Sequence, residues 1–176
     1  RGYLVRLVSS RYPYKPAIIF GEETWKYWEF DDITNRIAAS LIQLGVKKGD
    51  RIALHLSNSP EIVFCYYACF KIGAIAVPLN TRLKAPEIEY ILNHCQAKIC
   101  ISQTDLFPEI KHIKYDLSTV EHYLLVGNTA SFPDVQPFED LLQQFAENIK
   151  FPKINNDTVA AILYTSGTTA STEGRK

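Results

Sequence analysis

The chain predicts an α/β fold: a doubly wound, largely parallel sheet made from repeated βαβ units. Three observations carry this. Short apolar runs at residues 51–56 and 75–79 flank a stretch of helical length. The strand, helix and strand fit within about thirty residues, the size of one parallel crossover. The pattern then recurs, with a proline-opened helix near Pro86 and a further apolar strand at residues 98–102.

The elements follow in order. Leu4, Val5, Leu7 and Val8 suggest a short helix. Residues 17–20 read as a strand, and residues 23–26 as its hairpin partner across a turn at Gly21. From Trp28 to Leu44 apolar residues recur at Phe30, Ile33, Ile37, Leu41 and Leu44, a helical stripe that Gly45 can end. Lys48, Gly49 and Asp50 turn the chain into strand 51–56. Ser59 is placed to cap a helix that begins with Pro60 and Glu61 and stops near Gly73.

Strand 75–79 comes next, then a helix opened by Pro86 and carrying Ile88, Ile91 and Leu92, then strand 98–102. A weaker helix at 106–113 leads to strand 123–126, so the doubly wound core spans about 17–126. Residues 127–157 hold Pro133, Pro137 and Pro152 around one helix-like run, 138–145, and read as a connection over the surface. Residues 159–176 supply a last strand and the loop after it.

Composition narrows the function classes. At 176 residues, 47% hydrophobic and 22% charged, the chain fits one globular domain and excludes disordered, collagen-like and mini-protein readings. Nineteen Lys and Arg balance nineteen Asp and Glu, so no global field favours nucleic acid or an anionic membrane. The apolar stretch 62–79 is broken by Lys71, Gly73 and Pro78, which fits a helix followed by a buried strand better than a transmembrane segment. Cys65, Cys69, Cys95 and Cys100 lack C-x-x-C spacing and sit in apolar segments. They read as small buried hydrophobes in a reducing cytoplasm, not as zinc ligands. No signal peptide is visible and the chain contains no methionine, so its natural start is expected to be trimmed or missing.

The most specific chemistry lies at the C-terminus, YTSGTTASTEGRK. A loop that wraps a polyphosphate needs close backbone approach, which Gly167 permits, and many small donors, which Thr165, Ser166, Thr168 and Thr169 supply. In doubly wound sheets ligands bind beyond the carboxyl ends of the strands, where Thr165 begins. There is no G-x-G-x-x-G after a strand, and the interval from Gly167 to Gly174 is too long for G-x-x-x-x-G-K. Any nucleotide site here is of another type.

Two strings resemble one family. Residues 45–92, GVKKGDRIALHLSNSPEIVFCYYACFKIGAIAVPLNTRLKAPEIEYIL, are similar to the opening doubly wound unit of the adenylate-forming (AMP-binding) enzymes. YTSGTT, Tyr164 to Thr169, resembles their signature phosphate loop. That family includes acyl-CoA synthetases, aryl-CoA ligases, luciferases and the adenylation domains of peptide synthetases. The resemblance implies a partial N-terminal domain of such an enzyme, with PLNTRL leaning toward an acyl-CoA synthetase. It implies ATP, Mg²⁺ and coenzyme A as cofactors and a small-molecule carboxylic acid as substrate. The acid attacks the α-phosphorus of ATP to give an acyl-adenylate, and coenzyme A then takes the acyl group as a thioester. Phosphate contact is carried over to Thr165, Ser166, Gly167, Thr168 and Thr169 alone. Asn58 and Asn80 are expected in turns at strand ends.

The sequence departs from the family immediately after Thr169. Where the family continues Gly, any residue, Pro, Lys, Gly, this chain has Ala170, Ser171, Thr172, Glu173 and Gly174. Glu173 stands where the family places a lysine, and two like charges about 4 Å apart repel by on the order of 4 kcal/mol at an effective dielectric near 20. The expected whole is an N-terminal fragment, about the first third of the enzyme, inactive alone and prone to self-association through faces its remainder would cover. The alternative from another class is a stand-alone, non-catalytic α/β binding or regulatory module of the flavodoxin-like or receiver kind. The polar rather than acidic residues Ser57, Asn58, Ser59, Asn80 and Thr81 at the strand ends count against a receiver.

Overall fold

A computed structural model describes residues 2–144, 150–155 and 157–165. Helix α1 (Gly2–Arg11) precedes a hairpin of β1 (Pro16–Phe20) and β2 (Glu23–Lys26), which pair antiparallel as a separate two-stranded sheet. Then α2 (Tyr27–Gln43), β3 (Arg51–His55), α3 (Pro60–Ile72), β4 (Ile75–Pro78), α4 (Ala85–Cys95), β5 (Ala97–Gln103), α5 (Phe107–Lys111), β6 (His122–Val126) and β7 (Gln136–Pro137) follow. The main sheet has the order β4-β3-β5-β6-β7, and every pair in it is parallel.

Alternation along the strands sorts the core into two halves. On β3, Ile52 and Leu54 face one side and Ala53 the other, and all three are fully buried. Ile52, Leu54, Ile99, Ile101 and Leu124 pack with Phe30, Ile37 and Leu41 of α2 and Phe64, Cys65 and Ala68 of α3. Val77, Cys100, Tyr123 and Leu125 pack on the opposite face with Ile88, Ile91 and Leu92 of α4 and Phe107 and Ile110 of α5. Helices thus cover both faces, as repeated right-handed crossovers require. Each fully buried Ile or Leu contributes roughly 1.5–3 kcal/mol, so these two layers dominate stability.

Helix ends follow the chain's punctuation. Gly73 ends α3 in the left-handed region at φ 71°, and its amide bonds back to Cys69 O. A Cβ there would stand 2.6 Å from Ile154 Cδ1, so both conformation and space call for glycine. Ser59 occupies the N-cap of α3 with extended backbone, but its hydroxyl makes no capping bond, so position and Pro60 start the helix without it. Gln96 ends α4 at φ 51° without being glycine, and its carbonyl and that of Cys95 are taken up by the Arg51 guanidinium.

Three segments differ from the sequence expectation. The helix expected at 106–113 shortens to α5 plus a 3₁₀ turn at Lys114–Asp116, because Tyr123 and the β6 connection capture that end of the segment. The stretch read as a surface connection instead adds β7 at the sheet edge and a 3₁₀ helix, Phe138–Leu142, whose Phe138 and Leu141 are buried in the first core half. Ser40 Oγ donates to Leu141 O at 2.8 Å and fixes that helix on α2. The last strand reduces to one parallel bridge, Ala76 to Ala161; among the described residues nothing pairs with its outer side, and Val159 and Leu163 are 53% and 70% exposed.

One buried charge joins α2 to α3. Lys71 Nζ lies 2.6 Å from Asp31 Oδ1 and 2.7 Å from Asn35 Oδ1, with the lysine side chain 5% exposed. Burial lowers its pKa from the ordinary 10.5 despite the opposing pull of Asp31, so folding favours the neutral amine. The protonated lysine therefore costs stability that returns as pH rises toward 10.5. Asp31→Ala is expected to lose about 3 kcal/mol in urea unfolding at neutral pH, with the deficit shrinking on alkalinisation. Asp31→Leu with Lys71→Met is expected to restore most of it; a pH-independent deficit would show that the ion pair is not the cause.

Candidate functional site

Residues 159–165 run beside β4 on the outer edge of the sheet. Ala76 N donates to Ala160 O and Ile162 N donates to Ala76 O, each at 3.0 Å. This register is parallel, so Thr165 leaves the sheet at the same end as the carboxyl termini of the other strands. Ala161 packs into the first core half, and Ile162 and Tyr164 into the second. Thr165 is exposed. Ser166, Gly167, Thr168 and Thr169, with Glu173 beyond them, lie outside the described residues.

Tyr164 is the last side chain seated before the loop. Its hydroxyl and His94 Nδ1 share a hydrogen bond of 2.6 Å, and the rings meet edge to face at 5.7 Å and 85°. His94 in turn stacks on Tyr90 at 5.5 Å and 22°. Burial, then Cys95 and Tyr90, raises the Tyr164 pKa above its ordinary 10, so the phenol remains protonated at neutral pH. Neither Tyr90 nor His94 belongs to a motif in the sequence. Their signal is an aromatic and a histidine spaced i, i+4 on the exposed side of a helix whose other side is Ile88, Ile91, Leu92 and Cys95.

A second polar group sits where the strand order reverses, between β3 and β5. His55, fully buried, has Nδ1 3.5 Å from Ser102 Oγ, and among the described residues its Nε2 has no hydrogen-bond partner. Beside it Ser57 N donates to Gln103 Oε1, and Gln103 Nε2 donates to Asp105 Oδ1, each at 2.6 Å. Glu109 accepts from Lys84 Nζ at 2.8 Å and from Ala85 N at 3.1 Å, and these contacts lower its pKa from 4.5. Asn80 fills its expected turn role, accepting from Arg82 N at 3.0 Å, and Asn58 lies in a bend after β3. A cavity lined by Phe70, Gly73, Ala74 and Ile154 opens at the amino end of β4, away from both groups.

Thr165 carries a hydroxyl and a backbone amide and is exposed at the carboxyl end of the edge segment. For a divalent cation, the described residues offer no cluster of three His, Cys, Asp or Glu side chains. The four cysteines are buried and free, and burial pushes Cys69 and Cys100 up to about 12. They are inert thiols at neutral pH.

Fold and loop together define a doubly wound α/β domain with a hydroxyl-rich loop at the carboxyl end of an edge segment. The chain belongs to the AMP-binding enzyme family, which it matches over residues 6–174. It is 36% identical over 175 residues to a crotonobetaine/carnitine–CoA ligase of Salmonella typhi, covering 95% of this chain and 34% of the relative. Among solved structures, a fatty acyl CoA synthetase of Mycobacterium tuberculosis superposes with TM-score 0.82 at 30% identity, covering 94% of this chain and 32% of that one. Coronafacic acid ligase of Pectobacterium brasiliense does so with TM-score 0.86 at 25% identity, covering 93% and 33%. The chain thus spans about a third of the length of these relatives.

His55 makes stability depend on pH. Burial lowers its pKa from 6.5, against the smaller opposing pull of Glu109 and Asp105. The folded state favours the neutral ring, so this stability is complete above 6.5 and is lost as pH falls through the folded value. His55→Leu is expected to flatten the slope of unfolding free energy against pH below 6.5 by up to about 1.4 kcal/mol per unit. An unchanged slope in urea titrations would place the acid sensitivity elsewhere.

Proposed function

We propose that this chain is the N-terminal part of an ATP-dependent acyl-CoA synthetase, which joins a small carboxylic acid to coenzyme A through an acyl-adenylate. The observation that carries the reading is YTSGTT emerging from an edge segment fixed on β4, in a chain of the AMP-binding family. Thr165, Ser166, Gly167, Thr168 and Thr169 would contact the phosphates of ATP. Their hydroxyls and amides would offset the charge that gathers on the departing pyrophosphate, and Mg²⁺ would supply further neutralisation when bound. Carboxylate oxygen is a poor leaving group, and esterification to AMP turns it into a good one. Glu173 replaces the family's lysine, so Arg175 or Lys176 would have to supply positive charge in a reshaped loop.

The acid is proposed to be small, as crotonobetaine and carnitine are for the named relatives. A cytoplasmic setting is proposed on the four free, buried cysteines, and no described helix is long and apolar enough to cross a membrane. The product of the full reading frame is expected to catalyse carboxylate-dependent pyrophosphate exchange with at least one member of an acid panel headed by those two. Thr168→Val with Thr169→Val is expected to lower kcat/KM for ATP by about 100-fold. The 176-residue chain alone should give no micromolar binding of ATP with Mg²⁺ in calorimetry. Absence of exchange with every acid would sink the reading.

The chain by itself is proposed to self-associate. Val159 and Leu163 on the edge segment, with Ile19 and Phe20 on the hairpin, expose large apolar side chains. Size-exclusion chromatography of the 176-residue chain is expected to show species above its 20.0 kDa mass. A clean monomer across a hundredfold concentration range would count against it.

A further inference from the structure

We infer that His94 is a positioning residue: with Tyr90 it forms a seat on α4 that holds Tyr164 and so sets where the hydroxyl-rich loop leaves the sheet. The inference rests on the phosphate-loop reading of the preceding subsection. Its evidence is separate, and comes from how the root of the loop is held.

Among the described residues, the backbone bonds of this segment to β4 end at Ile162. Leu163, the next residue, is 70% exposed and supplies no apolar anchor. Between the bridge at Ala76 and the exposed Thr165, the fixed point is the Tyr164 side chain. It is held in two ways: a hydrogen bond to His94 Nδ1 at 2.6 Å gives direction, and edge-on ring contact at 5.7 Å gives area. Neither alone would suffice, since one hydrogen bond at an exposed histidine exchanges readily with water.

The seat also accounts for an oddity of α4. Tyr90 is 63% exposed and lies on the side of the helix away from the buried Ile88, Ile91, Leu92 and Cys95. A large aromatic there contributes nothing to the sheet core. Stacked on His94 at 5.5 Å and 22°, it restrains the imidazole so that Nδ1 stays aimed at the Tyr164 hydroxyl. Because α4 packs on the same half of the core as Ile162 and Tyr164, the seat ties the loop root to the rigid sheet and not to another loop.

The test has two arms. In the 176-residue chain, His94→Ala and Tyr164→Phe are expected to speed amide exchange at Ile162, whose N–H is bonded to Ala76 O, by about tenfold, while exchange in β3 stays unchanged. In the product of the full reading frame, His94→Ala is expected to raise KM for ATP by about tenfold, with kcat for pyrophosphate exchange within about twofold. His94→Gln, which keeps a hydrogen-bonding group, is expected to recover most of that KM, a recovery that a merely structural role would not give. Unchanged amide exchange, or a KM for ATP unmoved by His94→Ala but raised by Thr168→Val, would overturn the inference. Should Thr168→Val also leave KM unmoved, the phosphate reading fails and amide exchange alone decides the seat.

Discussion

A strand buried on both faces must be largely apolar, and the two helix layers of this molecule close on such strands, β3 among them. β3 pairs with β4 on one side and β5 on the other, and Ile52, Ala53 and Leu54 are all without exposure. Because β3 is an interior strand buried on both faces, α2 and α3 cover one face and α4 and α5 the other. The crossovers α3 and α4 therefore pass on opposite sides, and the carboxyl ends of β3 and β5 diverge at the reversal of strand order. Removing that strand would leave two helix layers with no common surface.

Among the buried polar residues two are ionisable, Lys71 and His55, and each is tolerated differently. Lys71 is paired and hydrogen-bonded, so its cost is limited to desolvation that Asp31 and Asn35 only partly offset. His55 escapes by staying neutral, with Ser102 near one nitrogen and the other nitrogen unpartnered among the described residues. Buried imidazole is cheap to hold uncharged, whereas a buried ammonium demands a counter-ion. Chemistry of the side chain, more than depth, sets which remedy applies.

Strand order β4-β3-β5-β6-β7 is the same succession found in flavodoxin-like proteins, so topology does not separate a ligase domain from a small regulatory module. What separates them is local. YTSGTT follows a segment bridged to β4, and the family match extends over residues 6–174, well past the sheet that both classes share. Function in this fold is read from a loop and its root.

From sequence alone, the periodicity of short apolar runs determined the parallel α/β core, because strand and helix spacing leave different marks on a chain. Gly73 marked a helix end because its left-handed backbone disfavours other residues, and Pro60 and Pro86 marked helix starts because a first-turn position needs no N–H and suits the fixed φ of proline. The phosphate-loop expectation rests on a local signal of the same kind, Gly167 and its hydroxyl neighbours in one contiguous string, and all of it but Thr165 lies outside the described residues. Tertiary structure alone decided the rest. That Phe138 and Leu141 enter the core, that Lys71 meets Asp31 forty residues away, and that Tyr164 reaches His94 across seventy are contacts between distant segments. Such pairings leave no periodic trace, because the residues share only a place in space, and that place exists once both helix layers have closed on β3.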